Sequence, residues 1–142
     1  MCGIIGAASS RNVGKLLVQG LHKMEYRGYD SAGIALHQKA SIFNLRTLGK
    51  VSLLEDGMIE HRPKSKLGIA HTRWATHGPK TDINSHPHLS QSGNFVLVHN
   101  GIIENYLELK KELEKNDIFC VSETDTEVIV NTIELNYLIE KN

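Results

Sequence analysis

A cysteine stands directly behind the initiator methionine, in a position where it could act as a nucleophile. Removal of Met1 by an aminopeptidase, which accepts small second residues, would leave Cys2 with both a thiol and a free α-amino group. An α-amine titrates near pH about 7.7–8.0 and a free thiol near about 8.5, so the amine can accept the proton of the neighbouring thiol. Cys2 is therefore a candidate N-terminal nucleophile. The structural alternative is an ordinary small residue at the start of a buried strand.

Polar side chains able to bind a charged substrate are concentrated in four later segments, "HTRWATHG" (71–78), "SHPH" (85–88), "HNGIIENY" (99–106) and "SETDTEVI" (122–129). Taken singly, several have structural explanations. An Asn-Gly pair such as Asn100-Gly101 is typical of a hairpin turn. An acid such as Asp125 suits the first turn of a helix. A lone arginine such as Arg73 is commonly a surface charge, and a single tryptophan such as Trp74 commonly packs.

Eight histidines raise the alternative of a metal-binding protein, because five of them fall between positions 71 and 99. The spacing does not favour such a site. No H-E-x-x-H pattern is present, and His86-Pro87-His88 has no carboxylate nearby. Cys120 is too distant from Cys2 to indicate a C-x-x-C redox pair. The sequence therefore predicts no metal and no cofactor.

The composition of the chain limits the classes of partner. Its 142 residues suit one domain, with 40% hydrophobic and 23% charged residues. Sixteen basic residues balance sixteen acidic ones without a basic patch, which disfavours nucleic acid and anionic membranes. No apolar run approaches the roughly 20 residues of a membrane span, and the N-terminus lacks the pattern of a secretory signal. We expect a cytoplasmic protein.

The elements that must hold these residues can be read from hydrophobic periodicity. Apolar runs predict strands at residues 2–8, 34–37, 41–48, 67–71, 95–99 and 118–121. Helices are predicted after Asn12, over residues 51–60 and 104–115, and after the capping-box pattern at Thr124, where Ile129, Ile133 and Tyr137 follow. The segment 72–93 is long and irregular, which is typical of functional connections. Adjacent strands with helices outside them predict a layered fold of the α/β or α+β class.

Five segments together carry a resemblance: Cys2-Gly3-Ile4-Ile5-Gly6, "YRGYDSAGIA" (26–35), "HTRWATHG", "HNGIIENY" and "SETDTEVI". In this order they resemble the glutaminase domains of glucosamine-6-phosphate synthases, which are class II glutamine amidotransferases of the N-terminal nucleophile type. The resemblance implies an α+β fold, an α/β/β/α four-layer sandwich. The chain is shorter than the family pattern. We therefore expect residues 1–142 to form the N-terminal part of a type-2 amidotransferase domain, an incomplete sandwich without the isomerase domains.

The resemblance also implies roles for individual residues. Cys2 would attack the side-chain amide of glutamine, while the Asn100 amide and the Gly101 backbone N–H stabilise the oxyanion. Arg73 would clamp the substrate α-carboxylate and Asp125 its α-ammonium group. The remaining implied binding residues are Trp74, which closes over glutamine, Thr76 and His77, which add hydrogen bonds, and His86, which holds the loop.

The implied activity is hydrolysis of glutamine through a Cys2 thioester, with the ammonia used to make glucosamine-6-phosphate from fructose-6-phosphate. Glutamine is then the ligand, and a separate chain carrying the rest of the synthase is an expected partner. Full-length members of the family are expected to be homo-oligomers. Two alternatives stay open: an inactive or partner-dependent fragment that only binds glutamine, and a histidine-rich metal-binding protein.

Overall fold

A four-stranded antiparallel sheet forms the first half of the molecule. The structure is a computed structural model that describes residues 2–74 and 79–141. The sheet has the order β1-β4-β2-β3, and its strands are β1 (Gly3–Ala8), β2 (Ser31–Gln38), β3 (Ser41–Leu48) and β4 (Leu67–Arg73). β4 is central and pairs with both β1 and β2. β4 therefore has a backbone partner on each side, and its C-terminal end is held firmly.

Two helices cover the outer face of this sheet, α1 (Gly14–Met24) and α2 (Val51–His61). Apolar residues spaced three and four apart give α1 one buried face, which includes Leu17 and Leu21. These side chains join a core with Ile34 of β2 and Leu54 of α2, all of them fully buried. Burial of side chains of this size is worth about 1.5–3 kcal/mol each.

The second half of the molecule is a smaller sheet with its own helical layer. β5 (His88–Leu89) and β6 (Val96–Leu97) pair in antiparallel fashion, and α4 (Asp125–Lys141) packs on them beside α3 (Tyr106–Lys115). The two halves are joined by hydrogen bonds from β3. Asn44 Nδ2 donates to the Pro87 carbonyl at 3.3 Å and Arg46 Nη1 to the Ser85 carbonyl at 3.1 Å. The layers thus run helix, sheet, sheet, helix.

Close approach of the connection 79–87 to the large sheet depends on Gly33 in β2. A Cβ at this position would overlap the backbone carbonyl of His86. A residue without a side chain is therefore required where this connection crosses the strand.

The prediction of a strand at residues 118–121 is wrong. The segment is irregular, and Phe119 and Val121 are exposed. Two of its backbone N–H groups donate to side chains instead of to a neighbouring strand. Phe119 N–H donates to Gln91 Oε1 at 2.8 Å, and Val121 N–H donates to the Glu127 carboxylate at 2.9 Å. Cys120 is consequently half-buried, and burial raises the pKa of its thiol to about 11.

The final helix forms as predicted after Thr124, and its buried residues include polar side chains. Ile133 and Tyr137 are 44% and 43% exposed, whereas Asn131 and Glu134 are buried. The polar side chains are buried because they bind the turn that joins β5 to β6. Asn131 Oδ1 accepts from Gln91 N–H at 2.8 Å, and the Glu134 carboxylate accepts from the Ser92 hydroxyl.

The other differences concern element length. The strand predicted at 95–99 is limited to β6, and β5 lies within the segment predicted to be irregular. In the described ranges, none of the helices combines the length and apolar character needed to cross a membrane.

Candidate active site

A cavity of about 520 Å³ opens where the ends of several elements meet. Its walls come from the start of β1, the end of β4, the connection between β6 and α3, and the first turn of α4. The volume is in the range of small-molecule sites. The lining residues are Cys2, Arg27, His71, Arg73, Trp74, His86, His99, Asn100, Gly101, Ile102, Tyr106, Glu123, Thr124, Asp125 and Thr126.

Cys2 reaches this cavity because β1 is paired in register with the end of β4. Gly3 lies opposite Thr72, and the Gly3 N–H donates to Thr72 Oγ1 at 3.1 Å. One residue further, the Trp74 N–H donates to Cys2 Sγ at 3.2 Å. The sulfur therefore lies beside a backbone donor, which stabilises negative charge on a thiolate.

Arg73 is the last residue of β4 and is only 6% exposed. Its Nη1 donates to the Pro79 carbonyl at 3.4 Å, and its own carbonyl accepts from the Asp30 N–H at 2.8 Å. A guanidinium in the cavity wall suits a planar anion such as a carboxylate.

Asp125 approaches the cavity from the opposite wall, in the first turn of α4. Its Oδ2 accepts from the Ile103 N–H at 2.8 Å, which ties the connection after β6 to the start of the helix. The cavity thus contains a cation, Arg73, and an anion, Asp125, that reach it from different elements. This distribution of charge is complementary to a ligand that carries both an acidic and a basic group.

Asn100 and Gly101 line the cavity in an irregular connection, not in a hairpin, because α3 follows instead of a strand. Gly101 does not adopt a positive φ, unlike Gly28, Gly49 and Gly93. The Asn100 side chain is fixed by His71, whose Nε2 lies 2.7 Å from Asn100 Oδ1.

His86 lines the cavity and belongs to a cluster of buried histidine rings. Its ring lies 4.3 Å from that of His71 and 4.7 Å from that of His88. His86 Nε2 is 2.9 Å from Thr126 Oγ1, and His88 Nε2 is 3.0 Å from Thr124 Oγ1. The connection that carries His86 is thereby attached to the start of α4.

Burial keeps these rings uncharged. It lowers the pKa of His71 to about 4 and that of His88 to about 3, and it also lowers the pKa of His86. Neighbouring positive charge adds to the effect, from Arg46 on His88 and from Arg73 on all three. Within residues 2–74 and 79–141, no group of three or more His, Cys, Asp or Glu side chains is arranged to hold a metal ion.

Trp74 forms an open wall of the cavity and is 48% exposed. One face of its ring lies against Gly28, and Lys80 Nζ lies 5.7 Å from the ring centre. Thr76 and His77, the other two residues predicted to bind substrate, lie outside the described residues.

His71 and Thr126 are two of the lining residues that were not assigned a role from the sequence. His71 is two positions before Arg73 in β4, and since side chains alternate along a strand, both are placed on the cavity side. That alternation could have identified His71. Thr126 Oγ1 lies within hydrogen-bond distance of both His86 and His99, at 2.9 and 3.4 Å. This role depends on tertiary packing and leaves no signal in the sequence.

Solved structures with the same fold include glutamine phosphoribosylpyrophosphate amidotransferase from B. subtilis. It matches with a TM-score of 0.78 and 26% identity, over 94% of this chain and 29% of that one. A structure described as the allosteric regulatory enzyme of purine biosynthesis matches with a TM-score of 0.77 and 27% identity, over 100% of this chain and 30% of that one. The fold and the cavity cysteine define the class as N-terminal nucleophile amidotransferases, which confirms the α/β/β/α fold expected from the sequence.

The family follows from sequence similarity. Residues 55–136 match the model of the glutamine amidotransferase domain, and the chain belongs to this family. Glutamine–fructose-6-phosphate aminotransferase (isomerizing) from Acinetobacter baylyi is 50% identical over 133 residues, 94% of this chain and 21% of that protein. The Escherichia coli K12 enzyme of the same name is 50% identical over 134 residues, 94% of this chain and 22% of that protein. The resemblance to this group is confirmed, and the chain spans about a fifth of the length of these relatives.

Proposed function

We propose that this chain hydrolyses the side-chain amide of glutamine to glutamate and ammonia. The observation that carries the proposal is the content of one cavity, in which the Cys2 thiol lies with a cation, Arg73, and an anion, Asp125. Free glutamine has an α-carboxylate and an α-ammonium group at one end and an uncharged amide at the other. A site of this charge pattern can hold the charged end and present the amide to the thiol.

The first half of the reaction forms a thioester. After removal of Met1, the α-amine of Cys2 takes the thiol proton, and the sulfur attacks the amide carbon. The carbonyl oxygen becomes an oxyanion, which accepts hydrogen bonds from Asn100 Nδ2 and the Gly101 N–H. Loss of one such donor typically costs about 2.7–4 kcal/mol of transition-state stabilisation. Proton transfer to the amide nitrogen then expels ammonia and leaves a glutamyl thioester on Cys2.

The second half regenerates the thiol. Water attacks the thioester carbon while the same α-amine takes one of its protons, and the oxyanion forms again between the two donors. Collapse of this intermediate breaks the carbon–sulfur bond, releases glutamate and returns the proton to Cys2.

Binding is assigned to residues around the reacting atoms. We propose that Arg73 pairs with the α-carboxylate and Asp125 with the α-ammonium, with additional hydrogen bonds from Thr76 and His77. Trp74 excludes water from the bound amide. His86, which is buried in the cavity wall, holds the 79–87 connection in place.

The use of the ammonia is inferred from the relatives. Their names describe the transfer of an amino group from glutamine to fructose-6-phosphate. We propose that this chain is the N-terminal part of a type-2 amidotransferase domain over residues 1–142, and that it supplies ammonia for glucosamine-6-phosphate synthesis. The sugar-phosphate chemistry would belong to a sequence outside these residues, in the same or a separate chain. A cytoplasmic homo-oligomer is the corresponding expectation for the whole enzyme.

Intact mass before and after treatment with an electrophilic glutamine analogue tests the proposal. We expect loss of Met1 and a single adduct that excess glutamine suppresses. Cys120→Ala should form the same adduct, whereas Cys2→Ala should form none and should release no glutamate.

Persistence of glutamate release in Cys2→Ala would overturn the mechanism. Removal of Met1 without an adduct, in a chain that binds glutamine in calorimetry, would favour the alternative of a binding fragment.

A further inference from the structure

The buried imidazole of His71 has one hydrogen-bond partner among the described residues, and this partner is Asn100. His71 is 1% exposed, and its Nε2 lies 2.7 Å from Asn100 Oδ1. His71 Nδ1 is equally buried and has no partner in the described part of the chain.

This contact fixes the tautomer of the ring. Asn100 Oδ1 faces His71 Nε2 and can only accept a hydrogen bond, so Nε2 carries the hydrogen. The alternative, a hydrogen on Nδ1 with the amide reversed, would bury an N–H group that has no acceptor among the described residues. With the hydrogen on Nε2, Nδ1 carries a lone pair, which agrees with the absence of an acceptor beside it. Burial lowers the pKa of His71 to about 4, so the ring carries a single hydrogen at neutral pH.

The contact also fixes the orientation of the Asn100 amide. Oδ1 and Nδ2 are on opposite branches of one planar group, and the two orientations exchange their positions. With the hydrogen on Nε2, only the orientation with Oδ1 toward His71 gives a hydrogen bond, because the reverse orientation would place two N–H groups against each other. The Nδ2 donors are then directed away from His71.

His71 itself is held rigidly. It lies in β4, opposite Ile4 of β1 and Gly33 of β2. Its ring stacks on His86 with an angle of 24° between the planes. A rigid donor is what keeps a reactive group within a fraction of an ångström of its productive position.

We propose that His71 is a positioning residue for glutamine hydrolysis, which orients Asn100 so that the amide nitrogen faces the oxyanion. This inference rests on the proposed function. It assigns to His71 no contact with the substrate, and its effect must therefore pass through Asn100.

Two measurements on the protein test this inference. In the unmodified chain at pH 7, long-range ¹H–¹⁵N NMR should show His71 as the neutral Nε2–H tautomer, and its signals should shift in Asn100→Ala. A protonated ring, or the Nδ1–H tautomer, would overturn the proposal without any variant of His71 being needed.

A double-mutant cycle tests the kinetic consequence. His71→Leu removes the donor at similar size, and we expect kcat to fall about 100-fold with KM within about threefold of wild type. His71→Gln places an amide N–H near the position of Nε2 and should recover activity to within about tenfold of wild type. In the Asn100→Ala background, His71→Leu should cause no further loss beyond about threefold.

The positioning role would be overturned if the loss of kcat in the double variant equalled the product of the losses in the two single variants. It would also be overturned if His71→Leu changed only KM. If the unmodified chain releases no glutamate, the proposed function fails, and the NMR signals still decide whether His71 orients Asn100.

Discussion

Arg73 and Asp125 are oppositely charged residues of the cavity wall, and they lead to the first prediction. Asp125→Asn should raise KM for glutamine about 10- to 100-fold with a smaller effect on kcat, because a charge-assisted hydrogen bond is worth about 1.5–3 kcal/mol. The asparagine keeps an oxygen for the Ile103 N–H, so the connection after β6 should remain in place. Steady-state kinetics of glutamate release measures the effect.

Asp56→Asn is the matched control, since Asp56 is exposed on α2, outside the cavity wall. A fall in kcat at unchanged KM in Asp125→Asn would contradict a role in binding the α-ammonium group.

At the scale of single residues, the structure brings together most of the side chains that the motifs singled out. The same cavity is lined by Cys2, Arg73, Trp74, His86, Asn100, Gly101 and Asp125. The roles assigned to them remain predictions. The sequence could not indicate how the side chains are held, because contacts such as Asn100 with His71 join residues 29 positions apart.

Among the elements, the turn after the short 3₁₀ helix Glu25–Arg27 supports Trp74. Gly28 has a φ of 116°, and a Cβ there would meet the indole ring. Gly28→Ala should therefore displace Trp74 and raise KM for glutamine several-fold, with a lower melting temperature. Trp74 is the only tryptophan, so its fluorescence should report the displacement directly.

Gly93→Ala separates backbone strain from contact with the ring. Gly93 also has a positive φ, 77°, but a Cβ there would meet nothing within 4 Å. This variant should lose stability without a change in KM or in the fluorescence of Trp74. If Gly28→Ala and Gly93→Ala changed KM equally, the turn at Gly28 would not be what holds the Trp74 ring in place.

The start of α4 depends on Glu127. Thr124 Oγ1 accepts from the Glu127 N–H at 3.4 Å, but the carboxylate reaches past Thr124 to the N–H groups of Val121 and Ser122, at 2.9 and 2.6 Å. Glu127→Ala leaves these donors without their acceptor and should lower the free energy of unfolding by about 1–3 kcal/mol.

Urea denaturation measures this loss, and Glu140→Ala, exposed near the end of the same helix, is the control. A loss below about 0.5 kcal/mol in Glu127→Ala would mean that water replaces the carboxylate.

The helices and strands were predicted well where the apolar periodicity of the sequence matched the face that is buried in the structure. β3 has the predicted bounds, and α2 extends one residue beyond its prediction. The strand at 118–121 failed because an apolar run does not reveal whether a neighbouring strand exists. The burial of Asn131 and Glu134 in α4 was not predicted, because it is explained only by the turn that these residues bind.

Taken as a whole, the molecule buries uncharged histidines, and this makes its stability sensitive to acid. Burial lowers the pKa of His71, His86 and His88 below the value of about 6.5 in the unfolded chain. Below pH about 6.5 the unfolded state binds protons that the folded state does not. The free energy of unfolding therefore decreases as the pH is lowered. For His71 the loss continues to about pH 4.

Urea denaturation at pH 7.5 and 5.5 checks this fourth prediction. Each of the three histidines should cost about 1 to 1.5 kcal/mol at the lower pH. His88→Gln, which keeps a donor near Thr124, should reduce the difference by about a third. An unfolding free energy that is equal at the two pH values would contradict the prediction.

The four-layer arrangement was predicted from the resemblance, not from periodicity, which left the α/β and α+β classes open. Local patterns identify strands and helices, but the order β1-β4-β2-β3 depends on contacts between distant residues. The crossing of the connection 79–87 over Gly33 is of the same kind, since nothing near Gly33 in the sequence indicates it.

The ladder between β1 and β4 has a consequence for how the chain can vary in length. β1 is an edge strand with one partner, and the register that pairs Gly3 with Thr72 also brings Cys2 to Trp74. If the rest of β1 keeps its register, an insertion or deletion of one residue would turn the side chains on its N-terminal side to the other face and withdraw the sulfur from the cavity. Substitution at an exposed site such as Ile4 changes no spacing. Related chains should therefore tolerate changes of residue type in this strand while keeping the number of residues constant.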